Sequence, residues 1–193
     1  REKVLALDEA LRARINMKVS LFHEDLTLLQ RDRNAAWFAK EDGARLLICS
    51  EIGSEGRNFQ FAHHLVLFDL PDNPGLLEQR IGRLDRIGQT ETISIHVPYP
   101  VGSHLETLAR WYHEGLNAIE KPLEGELEVI ARIGQRLQRL LKDQGDLADL
   151  DSLIAETRTL HTAIAKELED GEDRLLQLNT CRPLAAADLI VRF

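Results

Sequence analysis

Four short apolar runs divide the first hundred residues of this chain, and polar or glycine-rich segments bound each of them. The runs cover residues 18–22, 45–49, 64–68 and 92–97, and helical signals lie between them. This alternation is typical of an α/β fold, in which crossover helices join buried parallel strands. We therefore predict an α/β lobe over residues 1–100 whose four runs form one parallel sheet.

Two helix starts can be predicted inside this lobe. Thr27 and Gln30 have the spacing of a capping box, in which each side chain bonds the backbone of the other residue. Pro74 precedes the segment that ends in a pair of arginines, and proline is favoured in the first turn of a helix. We expect helices to begin at these two points.

The pattern changes after the fourth run. Leu and Ile recur there every three or four residues with Glu, Lys and Arg between them, which indicates amphipathic helices. We predict one helix at roughly 104–119 and two long helices at roughly 124–144 and 149–178 that form an antiparallel hairpin. Residues 101–180 would then be an α-helical accessory region, and 181–193 the start of a further, unassigned segment.

Composition excludes several classes of function. The net charge of −8 argues against a protein that coats nucleic acid over its whole surface, so any such contact must be local. No apolar run approaches the length needed to cross a bilayer, so no membrane function is expected. Cys49 and Cys181 have no disulfide or metal-ligand spacing and the histidines are scattered, so we predict no metal site and a reducing, cytoplasmic environment.

The first candidate site is the string Q-R-I-G-R-L-D-R-I-G-Q, from Gln79 to Gln89, in which Arg83 and Arg86 lie three residues apart. On a helix, this spacing brings both guanidinium groups to one face, where they can converge on a single anion. Phosphate suits them best, because the planar guanidinium fork keeps its charge while a phosphoryl group transfers. The alternative is an amphipathic helix with a solvated basic face.

The second candidate site is the loop S-E-I-G-S-E-G-R-N-F-Q, from Ser50 to Gln60, which follows the second apolar run. In an open α/β sheet, ligands bind at the loops that leave the carboxyl ends of strands. Glycine in such a loop lets the backbone approach a nucleotide or a phosphate closely. The alternative is an ordinary turn, in which a G-x-x-G of this kind is also common.

These motifs together resemble those of the helicase-like ATPases of superfamily two. Residues 79–89 match the last conserved motif, with an I-G-Q ending close to that of the Swi/Snf-type DNA translocases, and residues 50–60 resemble the penultimate motif. The stretch F-D-L-P-D-N-P at 68–74 resembles a Y-D-x-x-W-N-P segment of that family, although it could also only end a strand and start a helix. F-H-E at 22–24 matches a motif near the start of the same lobe.

Other strings narrow the resemblance to a bacterial branch. Glu55 and Arg57 depart from the small, apolar residues of the eukaryotic relatives, and Asp72 stands where the family usually has an aromatic residue. The strings H-V-P-Y and R-W-Y-H-E-G-L look like those of the bacterial RNA-polymerase-associated ATPases of this family. The similarity is close over roughly residues 4–116 and looser afterwards.

The resemblance implies that residues 1–100 are the second RecA-like lobe of an ATP hydrolase that moves on double-stranded DNA or RNA and helps to recycle RNA polymerase during transcription. Its cofactors would be ATP and Mg²⁺, and the protein would be located in the bacterial cytoplasm, associated with the nucleoid. The implied site residues fall into catalytic arginine fingers, nucleotide contacts and nucleic-acid contacts. The implied arginine fingers are Arg83 and Arg86. The implied nucleotide contacts are Gln79, Gly53, Ser54, Glu55, Gly56 and Arg57. The implied nucleic-acid contacts are Ser50, His23 and Asn58.

Other parts of such an ATPase are absent from the sequence, which has no G-x-x-x-x-G-K-[ST] motif and no acidic D-E-x-H-type motif. By the resemblance, the phosphate cradle and the magnesium ligands lie on a first lobe, so the fragment alone is expected to be inactive. The chain starts within a helical pattern, so we also expect the family's preceding strand to be missing from the sheet. An exposed strand edge would favour self-association of the fragment.

Two other functions fit the same residues. One is a bacterial DNA-remodelling or repair translocase of the same family that acts on another client. The other is a mainly non-catalytic docking module for RNA polymerase, in which the acidic helical hairpin after residue 120 is the docking surface and the α/β lobe is a scaffold.

Overall fold

The computed structural model describes residues 1–51, 58–86, 88–123, 126–143 and 147–180. The chain divides into two compact units, which we call unit 1 and unit 2. Unit 1 comprises Arg1–Ala62 and Arg86–Thr90, and unit 2 comprises His63–Asp85 and Glu91–Phe193.

Unit 1 contains two helices and a two-stranded parallel sheet. Its elements are α1 (Glu2–Arg12), β1 (Val19–Phe22), α2 (Leu28–Phe38) and β2 (Leu46–Cys49). The strands pair in register from Val19 opposite Leu46 to Phe22 opposite Cys49. Val4 of α1 packs with Val19 and Ile48 in a small buried cluster between the helix and the sheet.

The start of α2 confirms the capping box. The backbone nitrogen of Gln30 donates to the Thr27 hydroxyl at 3.3 Å, and the backbone nitrogen of Thr27 donates to Gln30 Oε1 at 2.8 Å. Two N–H groups that the helix itself leaves without acceptors are thereby bonded. The helix accordingly begins at Leu28.

Four phenylalanines form what we call the aromatic cluster of unit 1. The ring of Phe59 meets that of Phe22 on β1 edge-on at 6.2 Å between centroids, and that of Phe38 on α2 at 6.3 Å. Phe61 packs on Phe38 and Phe59. Edge-to-face pairs of this kind stabilise beyond the area that they bury. The cluster therefore fixes residues 58–62 on β1 and α2.

Unit 2 contains a second two-stranded parallel sheet and most of the helices. Its elements are β3 (His64–Val66), α3 (Pro74–Ile81), β4 (Ser94–His96), α4 (His104–Arg110), a π-helical turn that continues α4 (Trp111–Gly115, here the π-turn), α5 (Glu126–Asp143) and α6 (Leu147–Thr180). The strands pair from His64 opposite Ser94 to Val66 opposite His96. None of the helices in the described ranges is both long and apolar enough to span a bilayer.

A continuous apolar core holds unit 2 together. It joins Leu77 of α3, Trp111 and Tyr112 of the π-turn, Val129 of α5 and Leu153 of α6, each fully buried, with further aliphatic residues. Burying aliphatic and aromatic side chains of this size is worth about 1.5–3 kcal/mol for each one. This burial fixes the helices on one another and on α3.

The sequence predicted the elements better than it predicted their pairing. All four strands, both long helices and the α/β lobe followed by a helical region are confirmed, whereas the single sheet is wrong. Among the described residues, hydrogen bonds join only β1 to β2 and β3 to β4. The reason is that an apolar run shows which segment becomes a strand but not which neighbour it will bond. The helix expected at 104–119 is α4 with the π-turn, and it ends at Gly115.

Candidate nucleotide and nucleic-acid site

The helix α3 carries Gln79, the first predicted residue of the arginine motif. Its start is fixed by Asn73, whose side-chain oxygen accepts a 2.8 Å hydrogen bond from the backbone nitrogen of Gly75, and by Pro74 at the first helical position. Leu77 on the same helix is fully buried in the core of unit 2. With Leu77 facing the core, Gln79 lies exposed on the surface of α3.

The segment that precedes α3 is held by two further contacts within unit 2. Arg80 donates to the backbone oxygen of Asp69 at 2.6 Å and to its carboxylate at 3.2 Å. The hydroxyl of Tyr112 donates to the backbone oxygen of Pro71 at 2.5 Å. In the described structure, Asp69 and Asn73 therefore make the contacts of residues that end a strand and start a helix.

The two arginines do not lie on a helix, so the expectation of a common helical face is wrong. The helix α3 ends at Ile81, and Gly82 caps it. Glycine is a poor helix former and is favoured just past helix ends. Arg83 follows in a turn, with its backbone nitrogen 3.3 Å from the carbonyl oxygen of Arg80, and it is half-buried. Arg86 is exposed and belongs to unit 1, whereas Arg83 belongs to unit 2.

Ser50 lies directly after β2, at the carboxyl end of the strand, as the sequence predicted. Its hydroxyl donates a 2.7 Å hydrogen bond to Glu24 Oε2. This bond is the main cause that lowers the pKa of the Glu24 carboxyl to about 2. A carboxylate beside Ser50 repels a phosphate, so a nucleic-acid contact at Ser50 would require its hydroxyl to leave Glu24. The predicted contact of Ser50 with nucleic acid stays a prediction.

His23 and Asn58 are the other predicted nucleic-acid contacts. The His23 residue is only 7% exposed, and its Nδ1 has no hydrogen-bond partner among the described residues. Asn58 bonds within its own loop, where its Oδ1 accepts from the backbone nitrogen of Gln60 at 3.0 Å. Contact of either side chain with nucleic acid stays a prediction.

The five residues predicted to border the nucleotide, Gly53, Ser54, Glu55, Gly56 and Arg57, lie outside the described residues. Within the described ranges, no three His, Cys, Asp or Glu side chains come together to hold a metal ion. The assignment of magnesium ligands to a first lobe stays a prediction.

Three side chains that position this region had no predicted role. Tyr112 holds Pro71, and the indole Nε1 of Trp111 donates to the Thr157 hydroxyl of α6 at 3.0 Å. The adjacent aromatic pair W-Y was visible in the sequence as a sign of burial. Thr157 gave no signal, because one threonine on a long helix resembles any other.

Family models match the chain in two adjacent parts. Residues 1–88 match the helicase conserved C-terminal domain, and residues 92–193 match the C-terminal part of the RNA polymerase recycling family. The predicted resemblance to the helicase-like ATPases and to their polymerase-associated bacterial branch is thereby confirmed.

Curated relatives point to the same family as these models. Proteins named RNA polymerase-associated protein RapA are 53% identical over 93% of this chain in Pseudomonas putida and 52% identical over 91% of it in Vibrio vulnificus. The chain spans 19% and 18% of those two proteins. A crystal structure of the C-terminal part of the Fun30 ATPase domain matches with a TM-score of 0.54 at 20% identity, over 75% of this chain and 45% of that one. That likeness supports the helicase-lobe fold.

Proposed function

Because this chain belongs to the RNA polymerase recycling family, we propose that it is the C-terminal ATPase part of an enzyme that moves on nucleic acid and helps to recycle RNA polymerase. One observation carries the proposal. A helicase C-terminal domain and the polymerase-recycling region follow each other directly, over residues 1–88 and 92–193. A motor lobe and a polymerase-specific region in one chain are what such an enzyme requires.

In the proposed mechanism, Arg83 and Arg86 stabilise the charge on the γ-phosphate while ATP is hydrolysed. Phosphoryl transfer depends mainly on positioning and on positive charge, and an arginine supplied across a cleft is worth 10³–10⁵ in rate. The first lobe would hold ATP with Mg²⁺, which neutralises part of the phosphate charge. Gln79, exposed on α3, would contact the same nucleotide.

Coupling to nucleic acid follows if closure of the two lobes completes the site. Duplex DNA or RNA that lies across both lobes would bind the closed state more tightly than the open one. A ligand shifts a conformational equilibrium by its difference in affinity for the two states, so nucleic acid would raise the rate of hydrolysis. Ser50, His23 and Asn58 are the proposed contacts on this lobe.

The test is steady-state ATPase activity of the full-length protein with Arg83→Ala or Arg86→Ala, beside its affinity for ATP. We expect kcat to fall by about 10³- to 10⁵-fold and ATP affinity to change far less, because the guanidinium groups act mainly in the transition state. Lysine should not rescue either position, since a point charge does not replace the planar fork. Arg139→Ala, the same change at an exposed position of α5, is the control. If folded variants hydrolyse ATP at the parent rate, neither arginine is catalytic.

A docking module for RNA polymerase is the second candidate, because over half of the chain, residues 92–193, matches the polymerase-recycling family. The two functions predict different behaviour of the arginine variants. A motor should lose polymerase recycling together with hydrolysis, whereas a docking module should recycle and bind polymerase as the parent does. A translocase with another client would show nucleic-acid-stimulated hydrolysis but no polymerase binding.

A further inference from the structure

The side chain of Gln89, the last residue of the arginine motif, contacts two backbone carbonyl groups of unit 1. Its side-chain nitrogen Nε2 donates to the backbone oxygen of Gln60 at 3.0 Å and to that of Ala62 at 3.2 Å. A carboxamide carries two N–H groups on one nitrogen, so a single glutamine can serve both carbonyl groups at once. The acceptors are 29 and 27 residues away in sequence, so this contact joins two distant parts of the chain.

The turn that provides these two acceptors is itself fixed. The backbone nitrogen of Gln60 donates to Asn58 Oδ1 at 3.0 Å, and that of Ala62 donates to the carbonyl oxygen of Phe59 at 2.8 Å. Phe59 is only 5% exposed and lies within the aromatic cluster. The carbonyl groups that Gln89 contacts are therefore presented from the core of unit 1.

Gln89 is also bonded to Arg86, through its backbone. The backbone nitrogen of Gln89 donates to the carbonyl oxygen of Arg86 at 2.9 Å, which closes a tight turn. Gly88 in this turn has a φ of +100°, a conformation that residues with a Cβ rarely adopt. This bond thus keeps the backbone of Arg86 next to that of Gln89.

We infer that Gln89 is a positioning residue for Arg86, which it holds on unit 1 through the carbonyl oxygens of Gln60 and Ala62. The inference rests on the proposed function, in which Arg86 acts on the γ-phosphate. The helix α3 ends before Arg83, and both belong to unit 2, whereas Arg86, Gly88 and Gln89 belong to unit 1. The two arginines therefore depend on different parts of the fold for their placement, and the Gln89 contacts described above lie in the unit of Arg86.

The sharpest variant is Gln89→Glu in the full-length protein. Glutamate has nearly the same shape, but its carboxylate has no N–H and would face two carbonyl oxygens. We expect kcat for ATP to fall by about 10- to 100-fold, since misplacing a catalytic group by about 1 Å can cost 10²-fold. KM for ATP should change by much less. Gln135→Glu, the same chemical change at an exposed position of α5, should leave both constants unchanged.

Double variants separate positioning from a general loss of structure. If Gln89 acts through Arg86, then Gln89→Glu should lower kcat no further once Arg86 is alanine. In the Arg83→Ala protein it should still lower kcat by its full factor. An equal factor in both backgrounds would show that Gln89 acts independently of Arg86 and would overturn the inference.

The outcomes also distinguish this inference from the proposed function. If Arg86→Ala lowers kcat but a folded Gln89→Glu protein works normally, only the positioning role is wrong. If Arg86→Ala itself has no effect, the proposed mechanism fails and the inference fails with it. Thermal unfolding shows whether each variant is folded. If the Gln89→Glu protein is not folded, Gln89→Ala, which introduces no charge, must lower kcat with the same dependence on Arg86.

Discussion

The indole nitrogen of Trp111 donates a 3.0 Å hydrogen bond to the hydroxyl oxygen of Thr157, and both side chains are fully buried. Thr157 in turn donates to the carbonyl oxygen of Leu153, one turn earlier on α6, at 2.7 Å. This chain of bonds connects the π-turn to α6. Gly115 ends the π-turn against the Thr157 side chain, where an added Cβ would lie 3.3 Å from the methyl group.

Replacing Thr157 with valine should destabilise the protein by about 1–3 kcal/mol. Valine keeps the shape but offers no acceptor, so the Trp111 N–H would be left buried without a partner. Thr157→Ser keeps the hydroxyl and should cost only about 0.8 kcal/mol for the lost methyl group. Urea unfolding of the 193-residue chain measures both. If the valine protein is at least as stable as the serine protein, the hydrogen bond between Trp111 and Thr157 makes no net contribution to stability.

Tyr112→Phe tests the contact that holds the segment before α3. Burial raises the pKa of the Tyr112 hydroxyl, which therefore stays protonated and keeps donating to Pro71 over the ordinary pH range. Removing the hydroxyl leaves the buried Pro71 carbonyl without this donor and should cost about 1–3 kcal/mol. Chemical unfolding of parent and variant gives the difference, and equal midpoints and slopes would contradict the expectation. Tyr99→Phe, at an exposed position, is the matched control.

Two glycines should respond in opposite directions to alanine. At Gly43, an added Cβ would lie 1.7 Å from the backbone oxygen of Trp37, so the end of α2 would have to shift. Overpacking of this kind costs about 1–3 kcal/mol. Gly171 lies inside α6, where a Cβ would meet nothing within 4 Å. Alanine there should stabilise the helix by up to about 1 kcal/mol.

Thermal melting of the two alanine proteins beside the parent checks the pair. The contact geometry at Gly43 would be refuted by an unchanged melting temperature in Gly43→Ala. A loss of stability in Gly171→Ala would contradict the open space around a Cβ at Gly171.

Ser50→Ala should raise the pKa of the Glu24 carboxyl from about 2 toward its usual value, because the Ser50 hydroxyl is its main stabilising partner. A carboxyl whose pKa is lower when folded stabilises the protein above its unfolded value near 4.5, and this stabilisation is lost as the pH falls toward 2. The alanine variant should therefore lose less stability between these two pH values. NMR titration of the Glu24 carboxyl carbon gives the pKa directly. An unchanged value in the variant would assign the shift to the remaining contacts of Glu24.

Local sequence signals predicted the elements of this fold because each signal acts within a few residues. The capping box of Thr27 and Gln30 starts α2, Asn73 and Pro74 start α3, and the recurrence of Leu and Ile marks α5 and α6. A cap bonds backbone groups three residues away, and helical periodicity repeats every 3.6 residues. The motif strings likewise predicted the family, since each of them is a short continuous stretch of the sequence.

The tertiary structure alone decided how these elements pair and what holds the arginines. The pairing of β1 with β2 and of β3 with β4 and the contact of Gln89 with Gln60 were outside any local pattern. Hydrogen bonds between residues about thirty positions apart depend on where the whole backbone passes. The sequence thus determined which residues belong to the arginine motif. Only the fold placed Arg83 and Arg86 in different units. The sequence could not show this placement, because local periodicity carries no information about contacts with distant carbonyl groups.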